Sequence, residues 1–304
     1  MSHTVLLGDP AYFRIKSGSN PHTRSRFGFR KQVDATRAIA QWNGLRSALI
    51  QQGVRVEVLP PDPELPGMVF PANAGFRHGK QFYLSNLNPA RAGETAQYQS
   101  KISALGLEVR RLPSPHPFEG EADFIPVGDP SGDPAKTVYL FTCGPIEQPR
   151  WELRPGFPPY RRVYGFRSDC RLLPALRAIV HPREVLLLEL TDERHYHGDT
   201  VLCPFGARNE QLMVYLEGLA PEAGRALESR FGDRLLPLEA EDGRVFAANS
   251  FQVSPALLMP DGVRQGLYEQ VRARGVIPLP VDVSEFLGKG GGAVKCMLLD
   301  LGEL

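Results

Sequence analysis

Residues 36–53 read TRAIAQWNGLRSALIQQG, and residues 54–61 continue VRVEVLPP. The first stretch spaces apolar residues three and four apart, as one face of a helix does. A glycine ends it and a valine-rich run follows. The same order returns as TAQYQSKISALG then LEVRRLP, DCRLLPALRAIVHP then REVLLLELTD, EAGRALESRFG then DRLLPLEAED, and VRQGLYEQVRARG then VIPLPVDV. Gly53, Gly106, Gly232 and Gly275 stand at the joints, where a residue able to take positive φ suits a helix end. The third copy has His181-Pro182 there instead.

Around each copy lie short β runs: TVLLG, MVFPANAGF, KQFYLSN, DFIPV, TVYLFT, TVLCPF, LMVYL, VFAANSFQV and VKCMLLDL. They are rich in Val, Phe, Tyr and Leu and are bounded by Gly, Pro, Asn and Asp. The chain therefore predicts an α/β fold of five strand-strand-helix-strand modules. Five such modules in a ring, a five-bladed α/β propeller, would bring their inner strands and loops together at a central axis. A doubly wound sheet is the alternative. Against it, no Gly-x-Gly-x-x-Gly opens a helix after a first strand, and GKGGG near the end leads into a strand rather than a helix. With no long linker or low-complexity stretch, residues 1–304 read as a single domain.

Hydrophobic residues make up 42% and charged residues 23% of the chain, and the formal net charge is +1. That is the composition of an ordinary folded protein without a polyanionic partner. No basic cluster with interleaved aromatics points to nucleic acid. No apolar run approaches the roughly eighteen residues of a membrane span. MSHTVLLGDP lacks the basic stretch and apolar core of a signal peptide, so a cytoplasmic location is expected. None of Cys143, Cys170, Cys203 and Cys296 falls in a Cys-x-x-Cys pair. Neither a metal site nor a cofactor is expected, and the four cysteines read as free thiols. The sequence leaves the oligomeric state open.

Several polar residues interrupt runs where apolar ones would be cheaper. In RHYHGDTVLCPF, His197 and Asp199 are two apart and would share one side of an extended segment; a histidine and a carboxylate so placed can do acid–base chemistry. PFEGEADF alternates Glu119, Glu121 and Asp123 between Phe118 and Phe124. Asn73 in MVFPANAGF and Asn249 in FAANSF fall inside apolar runs, where a buried amide needs partners. GGGAVKCMLLDL carries Cys296, which alone reads as a buried core thiol. Each signal has a plain structural reading: a bonded surface pair, a solvated strand face, a turn asparagine. Together they suggest a site built by different modules from a thiol, a histidine and acids, suited to a cationic substrate.

The ordered set PGMVFPANAG, PARAGE, FEGEAD, GFRSD, YHGDT, FAAN and GGGAVKC resembles the guanidine-modifying enzyme superfamily of arginine deiminase, dimethylarginine dimethylaminohydrolase and the amidinotransferases. The likeness runs over nearly the whole chain. It implies the same five-bladed propeller, sometimes called a pentein. It also implies Cys296 as the nucleophile on a guanidinium carbon, with His197 as the acid for the leaving amine and then the base for water. Glu119 would support the histidine and, with Asp199, hold the guanidinium. Arg91 and Arg167 would grip a substrate carboxylate. Asn73, Asn20 and Asn249 complete the expected set of substrate contacts.

The implied activity is hydrolysis of a linear guanidine C–N bond in a small arginine-like substrate. An amidinotransferase with an amine acceptor, and a non-catalytic binding propeller, are the alternatives. The pattern departs from its relatives in three places. Gly67 stands where an aspartate commonly contacts the substrate α-amino group. Asn73 stands where many relatives have aspartate, and the enzymes that hydrolyse twice resemble this chain in having asparagine there. SNPHTR lacks the usual aromatic after Asn-Pro.

Overall fold

The structure, a computed structural model, describes residues 3–16, 18 and 20–304. The chain opens with β1 (His3–Gly8), α1 (Ala35–Gln51) and β2 (Arg55–Leu59). Next come β3 (Gly75–His78), β4 (Gln81–Leu84), α2 (Thr95–Ala104) and β5 (Glu108–Arg111). The third module comprises β6 (Phe124–Val127), β7 (Val138–Cys143), the hairpin β8 (Arg150–Leu153) and β9 (Tyr160–Val163), α3 (Leu173–Val180) and β10 (Val185–Glu189). The fourth holds β11 (Leu202–Phe205), β12 (Gln211–Val214), α4 (Pro221–Phe231), β13 (Leu235–Pro237) and the short α5 (Ala240–Arg244). The fifth holds β14 (Phe251–Val253), β15 (Ala256–Pro260), α6 (Gln265–Ala273), β16 (Ile277–Val281) and α7 (Ser284–Gly290), and β17 (Leu298–Glu303) ends the chain.

One plan is repeated in five three-stranded sheets: β3-β4-β5, β6-β7-β10, β11-β12-β13, β14-β15-β16 and β17-β1-β2. In each, the first strand runs antiparallel to the second, and the second runs parallel to the third. A helix bridges each parallel pair, as such pairing requires. In the last sheet β17 takes the first place, so the two ends of the described chain pair with each other. The β8–β9 hairpin is an insertion in the third module and pairs only with itself; its charged, turn-rich sequence gave no strand signal.

α1 shows how the sequence pattern becomes packing. Asp34 caps it by accepting the Arg37 N–H at 3.0 Å, and Ala38, Trp42, Leu45 and Leu49 are buried on one face. Each large apolar side chain so covered contributes about 1.5–3 kcal/mol. Gly53, Gly106, Gly232 and Gly275 all take positive φ at the helix-to-strand joints. The largest apolar cluster joins residues of the third, fourth and fifth modules, from Ile125 to Val276.

Three stretches that carry the interrupting polar residues are not strand. Residues 71–74, 120–122 and 198–200 form single 3₁₀ turns, not strand. Proline at the start of the first, and Gly, Asn and Asp within them, favour turns over a ladder. Residues 294–297 likewise form a turn, and Phe246 breaks the FAAN stretch with φ of 55°. His197 and Asp199 therefore do not lie on an extended segment. Each of these turns stands immediately before the first strand of a sheet: β3, β6, β11, β14 and β17.

The expectation of four free thiols is corrected. Cys143 and Cys170 form a disulfide across a separation of 27 residues. The end of β7 and the 165–170 loop converge there because both reach Asp123: Thr142 Oγ1 donates to its Oδ1 at 2.7 Å and Ser168 Oγ to its Oδ2 at 2.6 Å. Cys203 and Cys296 are free. Among the described residues, no helix is long and apolar enough to cross a membrane.

Candidate active site

The five turns deliver one polar group or set each: Asn73 before β3, Glu119 and Asp123 before β6, His197 and Asp199 before β11, Asn249 before β14 and Cys296 before β17. A cavity of about 320 Å³ opens beside them, lined among others by Asn73, Glu119, Arg167, His197 and Cys296. That is the size of a small-metabolite site.

The Cys296 thiol donates to Asp199 Oδ2 at 3.1 Å and accepts from Asn249 Nδ2 at 3.1 Å. Burial pushes its pKa well above the ordinary thiol value, and the neighbouring Asp199 charge adds to that. The resting thiol is therefore neutral. Asn249 fixes the whole turn. Its Oδ1 accepts the Ala293 N–H at 2.9 Å and the Cys296 N–H at 3.1 Å, while its Nδ2 also reaches the Asp199 carbonyl at 3.0 Å. Asn249 and Asp199 stand behind the thiol and are not part of the cavity lining. Asp199 Oδ1 is buried without a hydrogen-bond partner, and burial raises the carboxyl to about 6.

His197 Nε2 lies 2.8 Å from Glu119 Oε2 and 4.0 Å from Asp123 Oδ2. Burial opposes its charge, but Asp123, Glu119 and Asp199 outweigh burial and raise its pKa. Burial likewise opposes the charge on Glu119. The His197 hydrogen bond and charge, with Arg91 and Arg167, overcome it and hold the carboxyl down to about 2. Glu119 and His197 thus form a buried carboxylate–imidazolium pair. Asp123 anchors it from below, accepting the Gly198 N–H at 2.9 Å. The sequence displayed Asp123 but not its role, because its three carboxylate bonds come from positions 142, 168 and 198.

The remaining expected residues divide. Arg91 is tied to Glu94, with Nη2 at 2.7 Å from Oε2, and also donates to the Gly67 and Phe70 carbonyls at 3.0 Å. Its Nη1 donates to Asn73 Oδ1, which fixes the amide so that Nδ2 points at His197 Nε2 at 3.4 Å. Most of the Arg91 fork is therefore spent inside the protein rather than offered to a carboxylate. Arg167 lines the cavity with its guanidinium 5.3 Å from the Tyr196 ring centroid. Asn20 also lines the cavity, but both hydrogens of its amide are engaged, with Tyr196 Oη at 3.0 Å and the Gly290 carbonyl at 2.8 Å. It holds the N-terminal loop against the glycine run.

Those glycines make room. A Cβ at Gly290 would lie 2.5 Å from the Phe70 ring, and one at Gly292 would lie 2.8 Å from Cys296 Cβ. A Cβ at Gly67 would meet Glu94 Oε1 at 2.4 Å, so the Glu94 carboxylate occupies the space a side chain there would take. Among the described residues, no group of three or more His, Cys, Asp and Glu is placed to hold a metal ion.

A family model described as "N,N dimethylarginine dimethylhydrolase, eukaryotic" matches residues 9–126. The N(G),N(G)-dimethylarginine dimethylaminohydrolase of Mycobacterium tuberculosis is 30% identical over 293 residues, which cover 96% of this chain and 83% of that protein. The chain belongs to the guanidine-modifying superfamily. The bifunctional arginine dihydrolase/ornithine cyclodeaminase AgrE of Nostoc sp. is 32% identical over 300 residues, 98% of this chain but 38% of AgrE. A variant of the N-terminal domain of ArgZ bound to substrate, an arginine dihydrolase from the ornithine-ammonia cycle in cyanobacteria, shares the α/β fold. Its TM-score is 0.82 at 27% identity, covering 99% of each chain. These members of the guanidine-modifying superfamily are hydrolases acting on guanidine C–N bonds.

Proposed function

We propose that the protein is a cysteine-dependent hydrolase of an arginine-like guanidine, built as a single five-bladed propeller domain with its site on the axis. The observation that carries this reading is the pairing of a neutral thiol on Asp199 with a charged His197–Glu119 couple around one small cavity.

The guanidinium enters facing Glu119, with the Asp199 carboxylate behind the thiol as a second counter-charge. Without such counter-charge its burial would be prohibitive. Its positive charge beside Cys296 favours the thiolate, which burial and Asp199 otherwise suppress. The thiol proton passes to solvent or to Asp199, and the sulfur forms a bond to the guanidinium carbon. His197, charged at rest, gives its proton to the departing nitrogen as that C–N bond breaks. The neutral imidazole then takes a proton from water, which attacks the S-alkylthiouronium carbon. The C–S bond breaks and the thiol is restored. Five sheets of one plan, closed by β17 on β1, support the propeller arrangement.

A panel of L-arginine, NG,NG-dimethyl-L-arginine, N-acyl arginine and guanidino acids tests the reading. Citrulline with one ammonia marks a deiminase, ornithine with two a dihydrolase, and citrulline with dimethylamine a dimethylarginine hydrolase. No product from any of them removes the hydrolase reading.

A further inference from the structure

Lys295 and Glu121 form an ion pair that none of these steps uses, with side chains only 16% and 10% exposed. Lys295 directly precedes Cys296, and its backbone N–H donates to the Asn249 carbonyl at 3.1 Å. Glu121 lies two residues after Glu119, within the turn that carries it. The pair therefore joins the turn of the thiol to the turn of the histidine's partner. Glu121 Oε1 also accepts the Asp300 N–H at 2.8 Å, which seats the pair against β17. The ammonium lies 5.5 Å from the Phe251 ring centroid.

A buried ion pair is a poor source of stability, since well-packed apolar residues do as well or better. Stability alone does not account for the charges at these positions. The main groups acting on Lys295 are Glu121, Asp300 and Asp199, with His3 and Cys203 also within its field, and His3 is bonded to Asp300 Oδ1 at 2.9 Å. Those acting most on Asp199 are His197, Cys296, Lys295 and Asp123, with Tyr196 and Cys203 also nearby. Lys295, next in the chain to the thiol that bonds Asp199, is thus the cation shared by the supporting pair and the carboxylate behind the thiol.

We propose that Lys295, held by Glu121, is a positioning residue for the reaction. It supplies permanent positive charge to Asp199, so that this carboxylate meets the guanidinium ionised, and it locks the Cys296 turn to the Glu119 turn. This rests on the reading of Asp199 as a guanidinium partner. With burial holding Asp199 at about 6, kcat/KM falls as pH drops through that value. Without the Lys295 charge, the carboxyl protonates at higher pH.

The test is the pH dependence of kcat/KM for Lys295→Met, Lys295→Gln and Lys295→Arg, on whichever panel guanidine the wild type uses. Both neutral variants are expected to shift the acidic limb upward by about one unit, with about a threefold loss at pH 6.5 that approaches tenfold below pH 5.5 and vanishes at pH 8.5. Lys295→Arg is expected to restore the limb. Lys295→Gln keeps a hydrogen bond to Glu121, so it remains informative if the methionine variant does not fold. A limb unmoved in both neutral variants overturns the proposal, as does an arginine variant that shifts as far as they do. If the wild type turns over nothing, the hydrolase reading fails. The pair is then read from guanidinium chloride protection of Cys296 against iodoacetamide across the same pH range, with the same two outcomes.

Discussion

The Cys296 thiol and the Asp199 carboxylate share one hydrogen bond of 3.1 Å in a buried setting. The thiol is thereby kept neutral by the same group that waits for a cation. On the proposed mechanism, a guanidinium arriving beside the pair would remove the obstacle to the thiolate and supply the electrophile in one event.

That coupling predicts opposite effects from Asp199→Asn. Removing the charge lowers the thiol pKa, so iodoacetamide should alkylate Cys296 about tenfold faster at pH 8. Turnover of a guanidine should fall by about a hundredfold or more, because the cation loses a counter-charge. If alkylation and turnover fall together, the carboxylate is supporting the thiol rather than suppressing it.

Glu119→Gln tests the acid–base pair. The pKa of His197 is raised above its unfolded value, largely against burial, by Asp123, Glu119 and Asp199. Its ion pair therefore stabilises the fold fully below the unfolded value, and that stability is lost as pH rises through the folded one. Protonation of the leaving nitrogen follows the same direction. In the glutamine variant the basic limb of the kcat profile should move to lower pH, with kcat reduced about a hundredfold. An unshifted basic limb would assign the acid to another group.

Asn249→Ala leaves the Ala293 and Cys296 N–H groups buried without their acceptor. Each such loss costs about 1–3 kcal/mol. Urea unfolding should show a destabilisation of about 2–5 kcal/mol, and kcat should fall further than KM rises because the turn itself is released. A stable variant with only a raised KM would make Asn249 a substrate contact instead.

Gly67→Asp addresses the departure from the relatives' aspartate. A side chain there must displace Glu94 from Arg91. Breaking a buried pair costs about 3–5 kcal/mol, so the urea midpoint should drop sharply without improved use of L-arginine. An unchanged midpoint would mean that the Glu94 carboxylate moves freely.

The five helices and their following strands were legible because periodicity and a terminal glycine are local signals. His197, Glu119 and Cys296 were legible through their ordered motifs, and the structure brings them to one cavity. What escaped was set by distant partners. Asn73 and Asp199 read as strand residues, yet the turn residues around them decide their local shape. Arg91 read as a substrate grip; it lines the cavity, with part of its fork engaged by Glu94. Cys143 and Cys170 read as thiols because nothing local signals that the end of β7 and the 165–170 loop, 27 residues apart at the two cysteines, converge on Asp123. The Lys295–Glu121 pair spans 174 positions and has no local trace.

The central claim is that Cys296 bonds covalently to the guanidine carbon. The most direct measurement is peptide mass analysis of His197→Ala after exposure to S-methyl-L-thiocitrulline, whose methanethiolate departs without help from an acid. The account predicts a stable adduct on the Cys296 peptide alone, absent in His197→Ala/Cys296→Ser. An unmodified Cys296 peptide, with product still released by the wild type, would contradict it.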